Sequence, residues 1–259
     1  MRPVPAKPIF VKGRVLGGPV PLLCVPLVGR SREDILAEVR ELGSADPDVI
    51  ELRVDAWGCV EDHEKSASLL RETRDLVKNM PIILTCRAHW EGGLKEVAED
   101  AKDALYETAI KERLVDFVDK ELCYGESKLS RWKALASSRG VLLILSYHNF
   151  DRTPSKEFIY SQLVQQIRCG ADVAKAALMP RAEEDVLSLL AATLAVRRDF
   201  PDTPMITMSM GPLGMHSRVV GGLYGSDLTF AAGSAASAPG QLPAAQMRNA
   251  FELIYPANF

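Results

Sequence analysis

Short, densely apolar runs alternate along the chain with longer runs whose apolar residues recur every three or four positions. The short runs are PLLCVPLV (21–28), DVIELRV (48–54), PIILTCR (81–87), VDFVDKEL (115–122), GVLLILSYH (140–148), ADVAKAA (171–177), MITMSM (205–210) and LYGSDLTFA (223–231). Their length and β-branched content predict strands. The longer runs predict amphipathic helices. SREDILAEVRELG pairs Ser31 with Asp34 three residues later, a capping signal, and is expected to stop at Gly43. TPSKEFIYSQLVQQIRCG carries Pro154 near its first turn and Gly170 beyond its end, with Phe158, Ile159, Leu163, Val164 and Ile167 on one face. EEDVLSLLAATLAVRR and QLPAAQMRNAFELIY follow the same pattern.

Eight strand–helix units at roughly thirty-residue spacing predict a parallel sheet with helices outside. That number of units in 259 residues fits an α/β fold of the (β/α)8 TIM-barrel type. The alternative is a doubly wound open sheet, but no GxGxxG marks a strand–helix turn. No Pro/Ser-rich linker divides the chain, so residues 1–259 are expected to form one domain. IFVKGRVLGG suggests a small hairpin over residues 9–19 that closes the barrel floor, preceded by a flexible tail at 1–8. AAGSAASAPG (231–240) reads as a flexible loop after the last strand.

Composition narrows the partners. A hydrophobic content of 47% supports a full core, and a net charge of −3 offers no broad basic field for nucleic acid. The N-terminus lacks the apolar stretch of a signal peptide, and the apolar runs are too short to span a bilayer. Five scattered cysteines without CxxC suggest free thiols in a reducing cytoplasm and give no zinc spacing.

In such a barrel, chemistry sits at the C-terminal strand ends and the loops beyond them. Glu51, Arg53 and Asp55 alternate in ELRVD and share one face. Arg87 ends the third strand and Glu91 follows it. Asp119 and Glu121 lie on the fourth, His148 ends the fifth, and Lys175 lies inside the sixth. His216 and Arg218 follow the seventh; Ser237 and Gln241 follow the eighth. Taken singly, each has a structural reading. An interior Glu/Arg pair can be a plain salt bridge, a strand-end histidine a hydrogen-bonded core residue, a lone arginine a surface residue, and a strand lysine can lie at an edge. His63 and His89 are expected to be exposed. Convergence at one barrel end shifts the balance. A lysine buried near Arg53 or Arg218 would lose its proton more readily and could attack a carbonyl to form an imine. The neighbouring C–H would become acidic, with His148 as base and Glu91 fixing its tautomer. Arginine and a loop amide would hold an anionic, hydroxylated substrate. These residues do not choose among aldol cleavage, elimination and isomerisation.

ELRVD (51–55), TCRAHWEGG (85–93), SYHNF (146–150), ADVAKAA (171–177), MSMGPLGMHSRV (208–219) and SAPGQL (237–242) together resemble type I 3-dehydroquinate dehydratase, the Schiff-base dehydratase of the shikimate pathway that serves aromatic amino acid biosynthesis. Six motifs in order across nearly the whole chain make the resemblance specific. It implies a cytoplasmic lyase converting 3-dehydroquinate to 3-dehydroshikimate and water by syn elimination. Lys175 matches the imine-forming lysine, His148 the general acid/base and Glu91 the acid that positions it. Arg218 matches the arginine that binds the substrate carboxylate. Glu51, Arg53 and Arg87 match contacts to the ring hydroxyls and imine region, and Ser237 and Gln241 match a loop closing over the ligand. The resemblance also implies a homodimer with no cofactor and no metal. Cys86 and the His89–Trp90 pair depart from commoner family forms. Rival readings are another class I Schiff-base barrel enzyme, such as an aldolase, and a non-catalytic ligand-binding barrel.

Overall fold

A computed structural model of the chain describes residues 2–233 and 237–255. The centre of the Gly/Ala/Ser loop, 234–236, therefore lies outside the described residues. A hairpin comes first: β1 (Ile9–Val11) and β2 (Arg14–Leu16) pair antiparallel with Ile9 opposite Leu16. Its two-residue turn, Lys12–Gly13, has positive φ at both positions (43° and 78°), the geometry that matches strand twist.

Eight further strands form the barrel: β3 (Leu22–Leu27), β4 (Val49–Arg53), β5 (Ile82–Thr85), β6 (Phe117–Glu121), β7 (Leu142–Asn149), β8 (Val173–Leu178), β9 (Met205–Ser209) and β10 (Leu228–Phe230). Seven parallel ladders join them in the order β10-β3-β4-β5-β6-β7-β8-β9. Single bonds bridge the last seam, between β9 and β10. The Asp227 amide donates to the Met205 carbonyl (2.7 Å), the Asp227 carboxylate accepts from the Met205 amide (2.8 Å), and Ser226 Oγ accepts from the Thr207 amide (3.0 Å). The result is the expected (β/α)8 barrel, nearly closed. Eight helices are described with it: α1 (Arg32–Ala45), α2 (His63–Val77), α3 (Glu99–Lys111), α4 (Glu126–Arg139), α5 (Lys156–Arg168), α6 (Glu183–Asp199), α7 (Gly211–Val220) and α8 (Ala244–Ile254). No helix among the described residues is long and apolar enough to cross a membrane.

Strand alternation sorts the side chains into two shells. Outward residues such as Ile50, Leu52, Val118 and Leu145 pack with the helices in the main core. Inward residues Val49, Ile83, Phe117, Ile144, Ile206 and Leu228 fill the N-terminal half of the barrel. Leu16 joins that inner cluster, with Ile9 and Val11 packed against it, so the hairpin closes the floor as expected. Among the inward-facing residues, the charged ones lie nearer the C-terminal mouth. The apolar lower layer is thus a dry base on which the charged layer stands.

Four local expectations are corrected. α1 carries the capping box at Ser31 and Asp34 but runs through Gly43 and ends where Asp46 turns left-handed (φ 41°), a conformation Asp tolerates. LYGSDLTFA is not one strand: Gly221–Tyr224 form a short 3-10 turn and only Leu228–Phe230 extend. Phe158 leaves the buried face of α5 and is exposed, edge-on to Tyr147 (5.9 Å). The segment expected to be a flexible tail is docked. Arg2 is buried and pairs with Asp227, which also pairs with Arg197, and the Ala6 amide donates to the Pro201 carbonyl (2.7 Å). An ion pair at the open seam anchors residues that their own composition could not order.

Asp227 should therefore matter more for stability than for chemistry. Replacing it with alanine strands two buried guanidiniums, and breaking such a pair costs about 3–5 kcal/mol. Urea unfolding of Asp227→Ala should show a lowered midpoint; an unchanged midpoint would contradict this account of the seam.

Candidate active site

All nine residues to which the resemblance gave roles line one pocket at the C-terminal mouth: Glu51, Arg53, Arg87, Glu91, His148, Lys175, Arg218, Ser237 and Gln241. Lys175 points inward from the middle of β8 and is 3% exposed. Its strand is held from outside by Gln166 of α5, whose side chain bonds both the amide and the carbonyl of Lys175 (2.8 and 3.0 Å). The charges nearest the amine differ from those expected. It faces carboxylates rather than Arg53 or Arg218: Nζ lies 2.8 Å from Asp119 Oδ2 and 3.4 Å from Glu51 Oε1, with the Phe230 ring 4.7 Å away.

Arg87 ties the carboxylates together. Its guanidinium reaches Asp119 (2.8 Å), Glu121 (2.9 Å) and Ser146 Oγ (2.7 Å), and Ser146 donates to Asp119 (2.6 Å). Burial alone would raise the Asp119 carboxyl, but Arg87 and then Lys175 hold it far below the usual range. Burial likewise opposes the Arg87 charge, yet Asp119 and Glu121 hold that guanidinium firmly protonated. Arg53 pairs with Asp55 (2.8 Å), which lies just past β4 in a short 3-10 turn rather than on the strand. Asp55 also accepts from the amides of Arg87 (3.2 Å) and Leu94 (2.9 Å) and so fixes both ends of the loop carrying Glu91.

That loop needs its double glycine. Gly92 has φ 84°, and a Cβ there would lie 2.1 Å from the Phe150 ring; a Cβ on Gly93 would lie 2.2 Å from the Arg87 carbonyl oxygen. The turn delivers Glu91 Oε2 to 2.8 Å from the His148 amide and 3.2 Å from His148 Nδ1. Burial first, then Glu121 and Asp119 against the opposing pull of Arg87, pushes the Glu91 carboxyl up to about 7. Burial, Arg87 and Lys175 hold the His148 imidazolium well below its usual value despite Asp119. His148 is thus a neutral ring whose Nδ1 is engaged, leaving Nε2 for the cavity.

Arg218 differs from every other charged group here. It is 2% exposed, yet among the described residues its guanidinium finds only Met208 Sδ (3.2 Å) and the Pro239 carbonyl (3.1 Å), and its Nε has no partner. Burial lowers it to about 10. A buried cation without a carboxylate is costly unless a ligand supplies one. Ser237 and Gln241 bond each other beside it (2.8 and 3.0 Å), and Pro239 also accepts from the Gly211 amide (3.1 Å). His216, on the same helix as Arg218, is exposed, as are His63 and His89. From the sequence, Asp55 and Asp119 are placed at the mouth without a role, and Ser146 and Phe230 are not singled out. Alternation on β6 was the signal for Asp119, and an inward serine on β7 the signal for Ser146. Among the described residues, no group of three His, Cys, Asp or Glu side chains could hold a metal ion.

A family model for type I 3-dehydroquinase matches residues 23–258. The chain belongs to that family. A 3-dehydroquinate dehydratase from Geobacillus thermodenitrificans is 40% identical over 247 residues, covering 95% of each chain. The crystal structure of 3-dehydroquinate dehydratase from Geobacillus kaustophilus superposes with a TM-score of 0.95 at 36% identity, covering 100% of both chains. The type I enzyme from Clostridium difficile, solved with covalent modified comenic acid, gives 0.93 at 36% identity, covering 98% of this chain and 99% of that one. The type I 3-dehydroquinase fold and its mouth thus frame the nine residues.

Because Arg218 lacks an anionic partner among the described residues, its removal should cost affinity rather than stability. Arg218→Leu should melt within a few degrees of the wild type or above it, while losing ligand binding. A large fall in Tm would show that the guanidinium serves the fold.

Proposed function

We propose that this chain dehydrates 3-dehydroquinate to 3-dehydroshikimate through a covalent imine on Lys175. The single observation that carries the reading is the convergence of a buried amine, a neutral imidazole and an anion-seeking guanidinium on one cavity. Arg218 binds the substrate carboxylate, aided by the Ser237–Gln241 loop. Arg53 and Glu51 contact the ring hydroxyls, and Arg87 orders the imine region. Lys175 condenses with the C3 ketone. The iminium withdraws electrons, so the C2 proton becomes acidic. His148 Nε2 takes that proton, and its neutral resting state suits it to do so. The resulting imidazolium, being strongly acidic in this setting, returns the proton to the C1 hydroxyl, which leaves as water. One base serving both positions gives a syn elimination. Glu91 holds the Nδ1 proton and fixes the tautomer. Water then releases product and restores the amine. The covalent adduct named for the Clostridium difficile relative supports an attachment chemistry of this kind.

A reducing cytoplasm fits the reading, since Cys24, Cys59, Cys86, Cys123 and Cys169 are all free. A homodimer belongs to the same proposal, and light scattering of the purified protein tests it.

Formation of the conjugated enone, followed by its absorbance, tests the roles. Lys175→Ala should abolish turnover. His148→Ala should lose roughly 10^2–10^4 in kcat, the range for a positioned acid/base, and should accumulate adduct. Wild-type turnover by the histidine variant would refute the base assignment. The pH profile gives a further check. Glu91 must be ionised to accept the Nδ1 proton, so the rate should fall as pH drops below about 7. In Glu91→Gln that acid limb should vanish along with most of the activity; a retained limb would place its origin elsewhere.

A further inference from the structure

We propose that Asp119 is the fixed counterion of the Lys175 nitrogen, stabilising it as ammonium before attack and as iminium afterwards. The inference rests on the Lys175 imine proposed above. The titratable and charged groups around Lys175 are Cys24 on β3, Glu51 on β4, Arg87 after β5, Asp119 on β6 and His148 on β7, with the Phe230 ring on β10. Of these, only Asp119 and Glu51 are carboxylates in contact with Nζ, at 2.8 and 3.4 Å. Asp119 is the nearer and the more rigid. Arg87 and Ser146 clamp it at 2.8 and 2.6 Å, and it is 1% exposed. Glu51 is held by one hydroxyl, Thr85 Oγ1 at 2.8 Å, and lines the cavity.

The condensation explains why such a counterion is useful. The ammonium and the ketone give the iminium and water: nitrogen surrenders two protons to the departing oxygen, the C=O bond breaks, and the C=N bond forms. Nitrogen carries one positive charge at both ends. The intervening neutral amine and the neutral carbinolamine that it forms with the ketone lack it. A carboxylate that cannot move therefore favours both resting ammonium and electron-withdrawing iminium over the neutral stages between them. It also explains why the nearest neighbours of this lysine are anions, where activation of the free amine alone would favour cations.

The two cations share one counterion, so both should respond to its loss in the same direction. In Asp119→Asn, acetylation of Lys175 by acetic anhydride, followed across pH by peptide mass, should set in at lower pH than in the wild type. The alkaline limb of turnover with 3-dehydroquinate should move to lower pH as well, because the iminium would lose its proton more easily. A purely structural role would lower activity at every pH and move neither curve. Asp119→Glu, which keeps the charge, should restore both curves towards wild type. An unmoved curve in either measurement overturns the proposal. If Asp119→Asn does not fold, Asp119→Ser takes its place, with the same displacement of both curves expected and unmoved curves again overturning the proposal. If wild-type protein fails to turn over 3-dehydroquinate, the proposed function falls, whereas the acetylation curve still tests the charge pairing.

Discussion

An isolated charge inside a barrel is costly, and the rest of this site follows from how its charges are paired. Arg87 is the hub. It binds Asp119 and Glu121 directly and reaches Ser146, and through Asp119 it touches Lys175. Arg53 and Asp55 form a second pair that grips the loop bearing Glu91. Each pair meets the desolvation cost of bringing charge into a protein core. What is left over defines function: among the described residues Arg218 has no carboxylate beside its buried charge, and the imidazole of His148 stays neutral.

The apolar lower layer makes this pairing possible. Val49, Ile83, Phe117, Ile144 and Ile206 seal the barrel beneath the charged residues, and the hairpin residue Leu16 stops the floor. Polar groups above that seal reach solvent only through the mouth, where electrostatic interactions gain strength from the low dielectric. The strand alternation that buries Leu52 against the helices also turns Glu51 and Arg53 towards the cavity. Fold and site therefore share one code.

Much of this was legible because the code is periodic. Strand order, helix positions and the mouth-facing residues follow from alternation and from the rule that barrel chemistry gathers at strand C-termini. Lys175 stood out because a lysine has no reason to sit within ADVAKAA unless something inside needs it. What alternation could not convey is which charges touch. Asp119 was visible as an inward residue, but its contact with Lys175 joins positions 56 residues apart in sequence and depends on barrel curvature. The docking of Arg2 on Asp227 joins positions 225 apart, so a proline-rich leader looked loose when read alone. Gly43 misled because a glycine signals a helix end only where a left-handed residue is needed, and here Asp46 supplies it.

The claim on which the account turns is that the amine of Lys175 sits in the barrel to form an imine. Wild-type protein incubated with 3-dehydroquinate, reduced with borohydride and digested, gives the most direct test by peptide mass. The account predicts a ligand-sized gain on the peptide containing Lys175. Turnover with no gain on that peptide would mean elimination without an imine and would contradict it.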